Sequence, residues 1–184
     1  MDKRRSATAL RDPVANPQVA RSPASATLKL TMQYPELRNK RQDFVGTTGL
    51  IYFGQSLVLS YTRDHNTNSY PGHRDLAGGG REGPKETPFC TFARELDEEF
   101  DLGINIDQIV YAKQYPGLVE PQKVGYFVVG CLDESEIDNI RFGDEGLTYH
   151  VSTVGELLAN PLLIPRRKLQ VELFLAQAAM AKAV

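Results

Sequence analysis

Apolar residues along the chain fall into short runs or recur at helical spacing, and polar segments rich in glycine, proline and asparagine separate them. Apolar runs predict strands at residues 27–33, 46–53, 56–62, 74–77, 109–115, 123–132 and 147–151. Helical spacing predicts helices at residues 88–100, 133–139, 154–159 and 166–183. Between the second and third strands, Gly54 and Gln55 are the signature of a two-residue turn. This alternation of strands and helices indicates an α/β domain.

The helix predicted at residues 88–100 has two faces when its residues are placed at about 100° steps. Thr87 is a favourable N-cap, and Pro88 suits the first helical position because its missing N–H is not needed there. The apolar face consists of Phe89, Phe92, Ala93, Leu96 and Phe100, and the adjoining acidic stripe consists of Glu95, Glu98 and Glu99. The helix is therefore expected to bury one side and to turn its carboxylates toward an open site.

The acidic stripe has two interpretations. Residues three and four apart are neighbours on a helix surface, so the three carboxylates repel one another unless a cation lies between them. Oxygen ligands of this kind suit magnesium or manganese. The alternative is an ordinary solvated acidic face.

The three glycines Gly78, Gly79 and Gly80 precede the acidic helix, and residues 80–102 resemble the Nudix box, G-x5-E-x7-R-E-U-x-E-E-x-G-U, where U is aliphatic. The matching residues are Gly80, Glu86, Arg94, Glu95, Leu96, Glu98, Glu99 and Leu102. Asp101 replaces the box glycine, which ends the helix in a left-handed conformation. Because aspartate tolerates that conformation better than most residues, we expect an altered helix end and intact metal ligands. Counting back from Glu86 makes Gly80 the box glycine, whereas counting forward from Leu76 gives Gly79.

The resemblance implies a role for each matched residue. Glu95, Glu98, Glu99 and a carbonyl oxygen of Gly80 would bind the metal, and Glu95 or Glu98 would also take part in catalysis. Glu86 and Arg94 would form a structural pair that holds the loop against the helix. Gly78 and Gly79 would let the backbone approach phosphate or metal closely.

Three residues outside the box are weaker candidates, and each could instead be a solvated surface residue. Glu145 lies before a predicted strand, where relatives place an extra carboxylate that binds metal or activates water. Arg63 ends a strand where relatives commonly present an arginine to phosphate. Arg74 precedes the glycine loop and is expected to reach a phosphate or base.

The resemblance further implies an α/β/α sandwich around a mixed β-sheet and a Nudix pyrophosphatase activity. Such an enzyme hydrolyses a phosphoanhydride bond in a nucleoside diphosphate linked to another group, with Mg²⁺ as cofactor and Mn²⁺ as a substitute. The substrate would be a small nucleotide, either a nucleoside triphosphate, as for MutT-like members, or a nucleotide sugar such as ADP-ribose. Two alternatives stay open: a non-catalytic Nudix-like module that senses a nucleotide, and a pyrophosphohydrolase of RNA 5′ ends.

Composition narrows the remaining possibilities. The 184 residues suffice for one domain, expected at residues 27–184, after a flexible basic extension at residues 1–26. The net charge of −2 gives no footprint for binding bulk DNA, and no apolar run is long enough to cross a membrane. Cys90 and Cys131 show no metal or redox spacing, so we expect buried or half-buried thiols and a cytoplasmic protein. A homodimer is compatible with the sequence.

Overall fold

The computed structural model describes residues 34–117 and 120–182. The basic extension at residues 1–26 and the strand predicted at residues 27–33 lie outside this part. The strands are β1 (Phe44–Phe53), β2 (Leu57–Arg63), β3 (Arg74–Asp75), β4 (Gly78–Gly80), β5 (Ile109–Pro116), β6 (Val124–Leu132) and β7 (Gly146–Thr153). The α-helices are α1 (Pro88–Phe100), α2 (Val154–Ala159) and α3 (Pro165–Lys182), and 3₁₀ helices span Pro35–Leu37, Ile106–Gln108 and Glu134–Asn139.

The strands of the described residues form one mixed sheet. Its main path runs β3-β2-β1-β6-β5, while β4 pairs with β1 and β7 pairs with β2. The β1–β6 pair is parallel, and the other pairs are antiparallel. Along β1, residues 46–48 pair with the glycines of β4, whereas residues 52 and 53 pair with β2. The glycine loop is therefore an integral part of the sheet.

Helices cover both faces of this sheet, because successive residues of a strand point to opposite sides. Apolar side chains of α1 and one set of strand residues form the first core, which contains Ile51, Phe53, Leu59, Phe92, Leu96, Phe100 and Val128. The alternate strand residues pack with α2 and α3 in the second core, which contains Leu50, Val58, Phe127, Val129, Leu157 and Val171. The predicted α/β/α sandwich around a mixed sheet is confirmed.

Helix α1 begins and ends where the sequence predicts. The Thr87 hydroxyl accepts a hydrogen bond from the Cys90 N–H at 3.2 Å, so Thr87 is the N-cap. Asp101 follows the helix in the left-handed conformation, at φ 55° and ψ 38°, and its N–H donates to the Asp97 carbonyl at 2.8 Å. An aspartate thus ends the helix in the conformation that the box assigns to glycine.

Three local expectations need correction. The turn between β1 and β2 contains three residues, because Phe53 pairs with Leu57. The strand expected at residues 74–77 stops at Asp75, and a separate strand, β4, follows it. Cys90 is exposed rather than buried, because it lies seven residues before the exposed Asp97 on the outer side of α1, whereas Cys131 is half-buried.

No helix in residues 34–117 or 120–182 combines the length and the apolar character that crossing a membrane would require.

The left-handed residue that ends α1 gives a stability prediction. A β-carbon in this conformation costs roughly 1–2 kcal/mol, and aspartate offsets part of that cost by local hydrogen bonding. We expect Asp101→Ala to be less stable than Asp101→Gly by about 1 kcal/mol, with the wild type between them. Urea unfolding at pH 7 measures the difference.

The control for this pair is Asp97→Ala, on the exposed side of the same helix. It should change the free energy of unfolding by no more than about 0.5 kcal/mol. Equal stabilities for the two Asp101 variants would contradict the strain argument.

Candidate active site

Three carboxylates come together beside the glycine loop. Oxygen atoms of Glu95, Glu99 and Glu145 all lie within 4.8 Å of one another. Glu95 and Glu99 are buried on one side of α1, with 9% and 4% of their surface exposed, whereas Glu145 reaches the cluster from the solvent side. The first two lie four residues apart on the helix, so they stand one above the other on the same face.

Burial and the repulsion between neighbouring carboxylates disfavour the charged forms of Glu95 and Glu99. Burial raises the pKa of Glu99 to about 8, and the nearby carboxylates of Glu95, Asp75 and Glu145 raise it as well. A hydrogen bond from the Gly78 N–H, at 3.1 Å from Oε2, acts in the opposite direction. Burial also raises the pKa of Glu95, although Arg94 opposes that effect. Glu99 therefore carries a proton near neutral pH unless a cation replaces it.

The Arg94 guanidinium joins α1 to the loop before it. Its Nε donates to Glu86 Oε1 at 2.9 Å, and its Nη2 donates to the Gly80 carbonyl at 2.8 Å and lies 2.9 Å from Glu95 Oε1. Glu86 Oε2 in turn accepts hydrogen bonds from the Glu82 N–H and the Thr91 hydroxyl. The structure thus contains the Glu86–Arg94 pair that the sequence predicts, and the pair fixes the loop on the helix.

Two glycines of β4 face the carboxylates directly. A β-carbon on Gly79 would collide with Glu95 Oε2, so any other residue there would require the carboxylate to move. The Gly78 N–H already donates to Glu99, as described above. Gly80, the predicted metal-binding glycine, instead gives its carbonyl oxygen to Arg94. Of the two candidates for the box glycine, Gly79 is the one in contact with a carboxylate of the cluster.

Glu145 reaches the cluster because its loop caps the end of α1. The last carbonyls of a helix lack partners within the helix. Here the Arg141 N–H donates to the Phe100 carbonyl at 3.0 Å, and the Gly143 N–H donates to the Glu99 carbonyl at 2.8 Å. A β-carbon on Gly143 would approach the Glu98 carbonyl oxygen to 2.8 Å, so this close docking favours glycine. The chain then turns into β7 with Glu145 beside Glu99.

Glu98 lies outside the three-carboxylate cluster. Its Oε2 accepts a hydrogen bond from Arg94 Nη1 at 2.7 Å, and 56% of its side chain is exposed. Ion pairs this exposed contribute little to stability, so the Glu98 carboxylate is free to change partners at low cost.

Arg63 uses its donors within the protein. Its Nη1 lies 3.0 Å from Asp75 Oδ2, its Nη2 donates to the Thr67 hydroxyl at 2.6 Å, and its Nε donates to the Ser69 carbonyl at 3.0 Å. The structure therefore places the predicted phosphate ligand in a network that holds the loop after β2.

Sequence analysis missed the acid at the centre of that network. Asp75 is 3% exposed and bridges Arg63 to Arg167 of α3, whose Nε lies 2.7 Å away. Asp75 Oδ1 also accepts the Leu76 N–H at 2.8 Å, just before the glycine loop. The one available signal was an aspartate inside a short predicted strand, directly before the apolar Leu76. Nothing in the local sequence points to Arg167.

Arg74 does not join the carboxylates. It pairs with Thr62 in the β2–β3 register, whereas its neighbour Asp75 pairs with Tyr61. Paired residues of antiparallel strands share a face, and Tyr61 belongs to the core that contains α1. Arg74 therefore lies on the other face of the sheet, together with Ser60, to which its Nη1 donates at 3.4 Å.

Comparison with known proteins rests on structure. No family model matches the chain, and no curated protein matches it. Several solved structures do resemble it. The MutT protein from Methanosarcina mazei Go1 has 20% identity, with a TM-score of 0.56 over 73% of this chain and 95% of that one. An Ap4A hydrolase from C. elegans has 15% identity, with a TM-score of 0.56 over 73% of this chain and 98% of that one.

A third neighbour is longer than this chain. It is a bifunctional NMN adenylyltransferase/ADP ribose pyrophosphatase from Francisella tularensis, solved with AMP and a manganese ion. Its identity is 15%, and its TM-score is 0.55 over 84% of this chain and 47% of that one.

These neighbours share the arrangement of a mixed sheet between helices, and residues 80–102 carry the motif described above. The chain therefore has the Nudix fold of the MutT-type proteins, and residues 80–102, which include the end of its glycine loop and its first helix, resemble the Nudix box.

Proposed function

We propose that this protein is a divalent-metal-dependent pyrophosphatase that hydrolyses a phosphoanhydride bond in a small nucleotide. The observation that carries the proposal is the cluster of Glu95, Glu99 and Glu145 beside the glycine loop of a Nudix fold. The cluster lies next to the glycine loop, and within the described residues its three carboxylates have one nearby cation, Arg94, so it suits a metal ion that also contacts a pyrophosphate.

The residues present fit a hard divalent cation. Carboxylate and carbonyl oxygens are the ligands that Mg²⁺ and Mn²⁺ prefer. Glu95, Glu99 and Glu145 would hold the ion, and Glu98 would join them by leaving its exposed pair with Arg94. When bound, the cation would neutralise charge on the pyrophosphate and make an attacking water more acidic. The manganese ion of the Francisella tularensis neighbour supports this choice of metal.

Side chains of the protein would supply the general base and hold the site in position. Hydrolysis forms a bond from a water oxygen to one phosphorus, breaks the bridging P–O bond, and transfers a water proton to a base. We assign the base to Glu145, because it faces solvent, whereas Glu95 is tied to Arg94 and Glu99 to the Gly78 N–H. Arg94 and Glu86 keep the loop and α1 in fixed register and are positioning residues.

The substrate class stays at the level of small nucleotides. Three neighbours at 15–20% identity carry three different names: MutT, ADP ribose pyrophosphatase and Ap4A hydrolase. Overall likeness therefore does not separate nucleoside triphosphates from nucleotide sugars such as ADP-ribose. A panel of both classes, together with dinucleoside polyphosphates and capped RNA, assayed for phosphate-type products with Mg²⁺ or Mn²⁺, would select among them.

Replacing any of the three cluster carboxylates, or the neighbouring Glu98, by an amide should sharply reduce turnover. We expect Glu95→Gln, Glu98→Gln, Glu99→Gln and Glu145→Gln each to lower kcat/KM by at least about a hundredfold, the scale of losing a general base or a charge-stabilising group. Asp97→Asn is the matched control, because it removes one carboxylate from the exposed side of the same helix and should retain activity.

Two outcomes would count against this proposal. The first is a wild-type protein that is inert toward the whole panel although it binds a nucleotide, which would favour the sensing module. The second is full activity in Glu99→Gln.

Metal binding should depend on pH through Glu99. With its pKa at about 8, Glu99 carries a proton at neutral pH that the cation must displace. The apparent affinity for Mn²⁺ should therefore rise by about tenfold per pH unit for one displaced proton and level off above pH 8. Calorimetry at pH 6 to 9, in buffers with different ionisation enthalpies, measures both the affinity and the released proton.

Glu99→Gln should lose this proton release, whereas Asp97→Asn should keep it. An affinity for Mn²⁺ that does not change between pH 6 and pH 8 would contradict the assignment.

The raised pKa of Glu99 also predicts that the stability of the metal-free protein depends on pH. The pKa of Glu99 is higher in the folded chain than its usual value, so between about pH 4.5 and pH 8 the folded state binds more protons than the unfolded state. The free energy of unfolding then falls as the pH rises, by up to about 1.4 kcal/mol per pH unit from this residue. Glu99→Gln should remove that fall and make the protein more stable than the wild type at pH 8.

Glu86→Gln provides a control with the opposite sign. Although burial tends to raise the pKa of Glu86, hydrogen bonds from Arg94, the Glu82 N–H and Thr91 outweigh it and lower the pKa. The stabilising contribution of Glu86 is therefore present at neutral pH and disappears only in acid, so Glu86→Gln should be less stable than the wild type at pH 8. Urea unfolding in EDTA at several pH values checks both signs.

A further inference from the structure

A polar cavity lies on the sheet face opposite α1. It has a volume of about 330 Å³, and its polar lining consists of Ser60, Arg74, His150, Ser152, Glu156 and Asn160. These residues come from β2, β3, β7 and the region of α2. A space of this size accommodates a small ligand.

Strand register separates this cavity from the carboxylate cluster. Leu59 and Tyr61 pack in the core that contains α1, so Ser60 between them points to the other side of β2. His150 pairs with Ser60 in the β2–β7 register and therefore shares that side. Arg74 and Asp75 also point to opposite faces of the sheet, with Asp75 on the side of the glycine loop and Arg74 on the side of the cavity.

The charge of Arg74 is poorly compensated. Within the described residues, the one hydrogen bond of its side chain is the 3.4 Å contact with the Ser60 hydroxyl, and no carboxylate lies within ion-pair distance. The Arg74 side chain is half-buried, and this burial lowers the pKa of its guanidinium. By contrast, Arg63 and Arg167 both pair with Asp75, the neighbour of Arg74 in β3.

The acid in the cavity lining is already engaged. Glu156 Oε2 accepts hydrogen bonds from the Thr153 N–H and the Thr153 hydroxyl, both at 2.8 Å, as part of the N-terminal cap of α2. That geometry holds the carboxylate on its own helix, so among the described residues the Arg74 guanidinium has the Ser60 hydroxyl but no acidic partner.

His150 adds a second polar group to the cavity. Its Nε2 lies 3.0 Å from the Thr62 hydroxyl, so Nδ1 is the ring nitrogen left for a ligand. Burial and the charge of Arg74 lower the pKa of His150, so the ring is neutral at pH 7. An anion placed beside Arg74 would reverse the second effect and make the ring more basic.

We propose that this cavity binds an anionic oxygen group, a phosphate or carboxylate, with Arg74 as its charged ligand and Ser60 and His150 as hydrogen-bonding partners. A guanidinium presents several donors in a planar fork that suits such anions. The inference concerns a site other than the carboxylate cluster and does not require the protein to be a hydrolase. The anion could be part of a nucleotide or a free ion, and the same experiment separates these sources.

The test is an NMR titration of metal-free protein in EDTA with inorganic phosphate at constant ionic strength. EDTA removes cations that would otherwise recruit phosphate to the carboxylates. The chain has three histidines, His65, His73 and His150, and His150→Gln identifies the ring signals of interest. We expect a saturable shift of the His150 signals, a rise in the pKa of His150, and no saturable shift of the other two rings.

Arg74→Gln should weaken phosphate binding by roughly tenfold or more, and Arg74→Lys should weaken it less because it keeps the charge. Arg38→Gln is the matched control, because it removes an exposed arginine far from the cavity and should bind like the wild type. Adding AMP in EDTA then identifies the source: displacement of phosphate means that a nucleotide carries the anion, and no displacement means that the cavity takes the free ion.

Two results would overturn the proposal: His150 signals that do not respond to phosphate in wild-type protein, or unchanged phosphate affinity in Arg74→Gln. If Arg74→Gln does not fold, Arg74→Lys and the wild-type His150 response decide the question.

Discussion

The Arg94 guanidinium is the contact on which the geometry of the site depends. It bonds Glu86 and Gly80 of the loop and, on its own helix, lies beside Glu95 and pairs with Glu98. Without it, the glycine strand and α1 would be joined near the carboxylates mainly by the bond from the Gly78 N–H to Glu99. The Arg94 guanidinium thus fixes the glycine strand relative to the carboxylates of α1, because it contacts both the Gly80 carbonyl and Glu95. Arg94 directly precedes Glu95 in the sequence.

The glutamates around Arg94 show how one residue type serves two purposes. Glu86 has an arginine and two further donors, so the folded state favours its charged form. Glu99, thirteen residues later, is buried with one backbone donor and three acids nearby, so the folded state disfavours its charged form. The charged form of Glu86 therefore stabilises the fold. The charged form of Glu99 is unfavourable in the folded chain, and a bound cation would stabilise it. Only this second arrangement is expected of a binding site.

The sequence predicts those features whose interacting residues lie close together along the chain, and it fails for features that depend on long-range contacts. Helix α1 could be predicted from Pro88 to Phe100 because its cap, its first-turn proline and its apolar stripe are adjacent in sequence. The Glu86–Arg94 pair was expected only because the resemblance implies it. Glu145 could be proposed as a site residue only through the resemblance, since the capping of α1 by Gly143, which brings Glu145 near Glu99, is a long-range contact. Arg63 and Arg74 could not be placed from the sequence. The side of a short strand on which an arginine falls depends on register with β2, and the partner of Asp75 lies in α3, 92 residues away.

The dipeptide of β3 shows why register matters for both polar sites. Asp75 points toward α1, neutralised by Arg63 and Arg167, and it anchors the start of the glycine loop through the Leu76 N–H. Arg74 points the opposite way and lacks an acid partner among the described residues. Since side chains in a strand alternate, a shift of β3 by one residue would place a guanidinium beside the carboxylates and an acid in the cavity. The bridge from Asp75 to α3 opposes such a shift, so the C-terminal helix, far from residues 80–102 in sequence, helps to keep the carboxylate cluster and the Arg74 cavity on opposite sides of the same sheet.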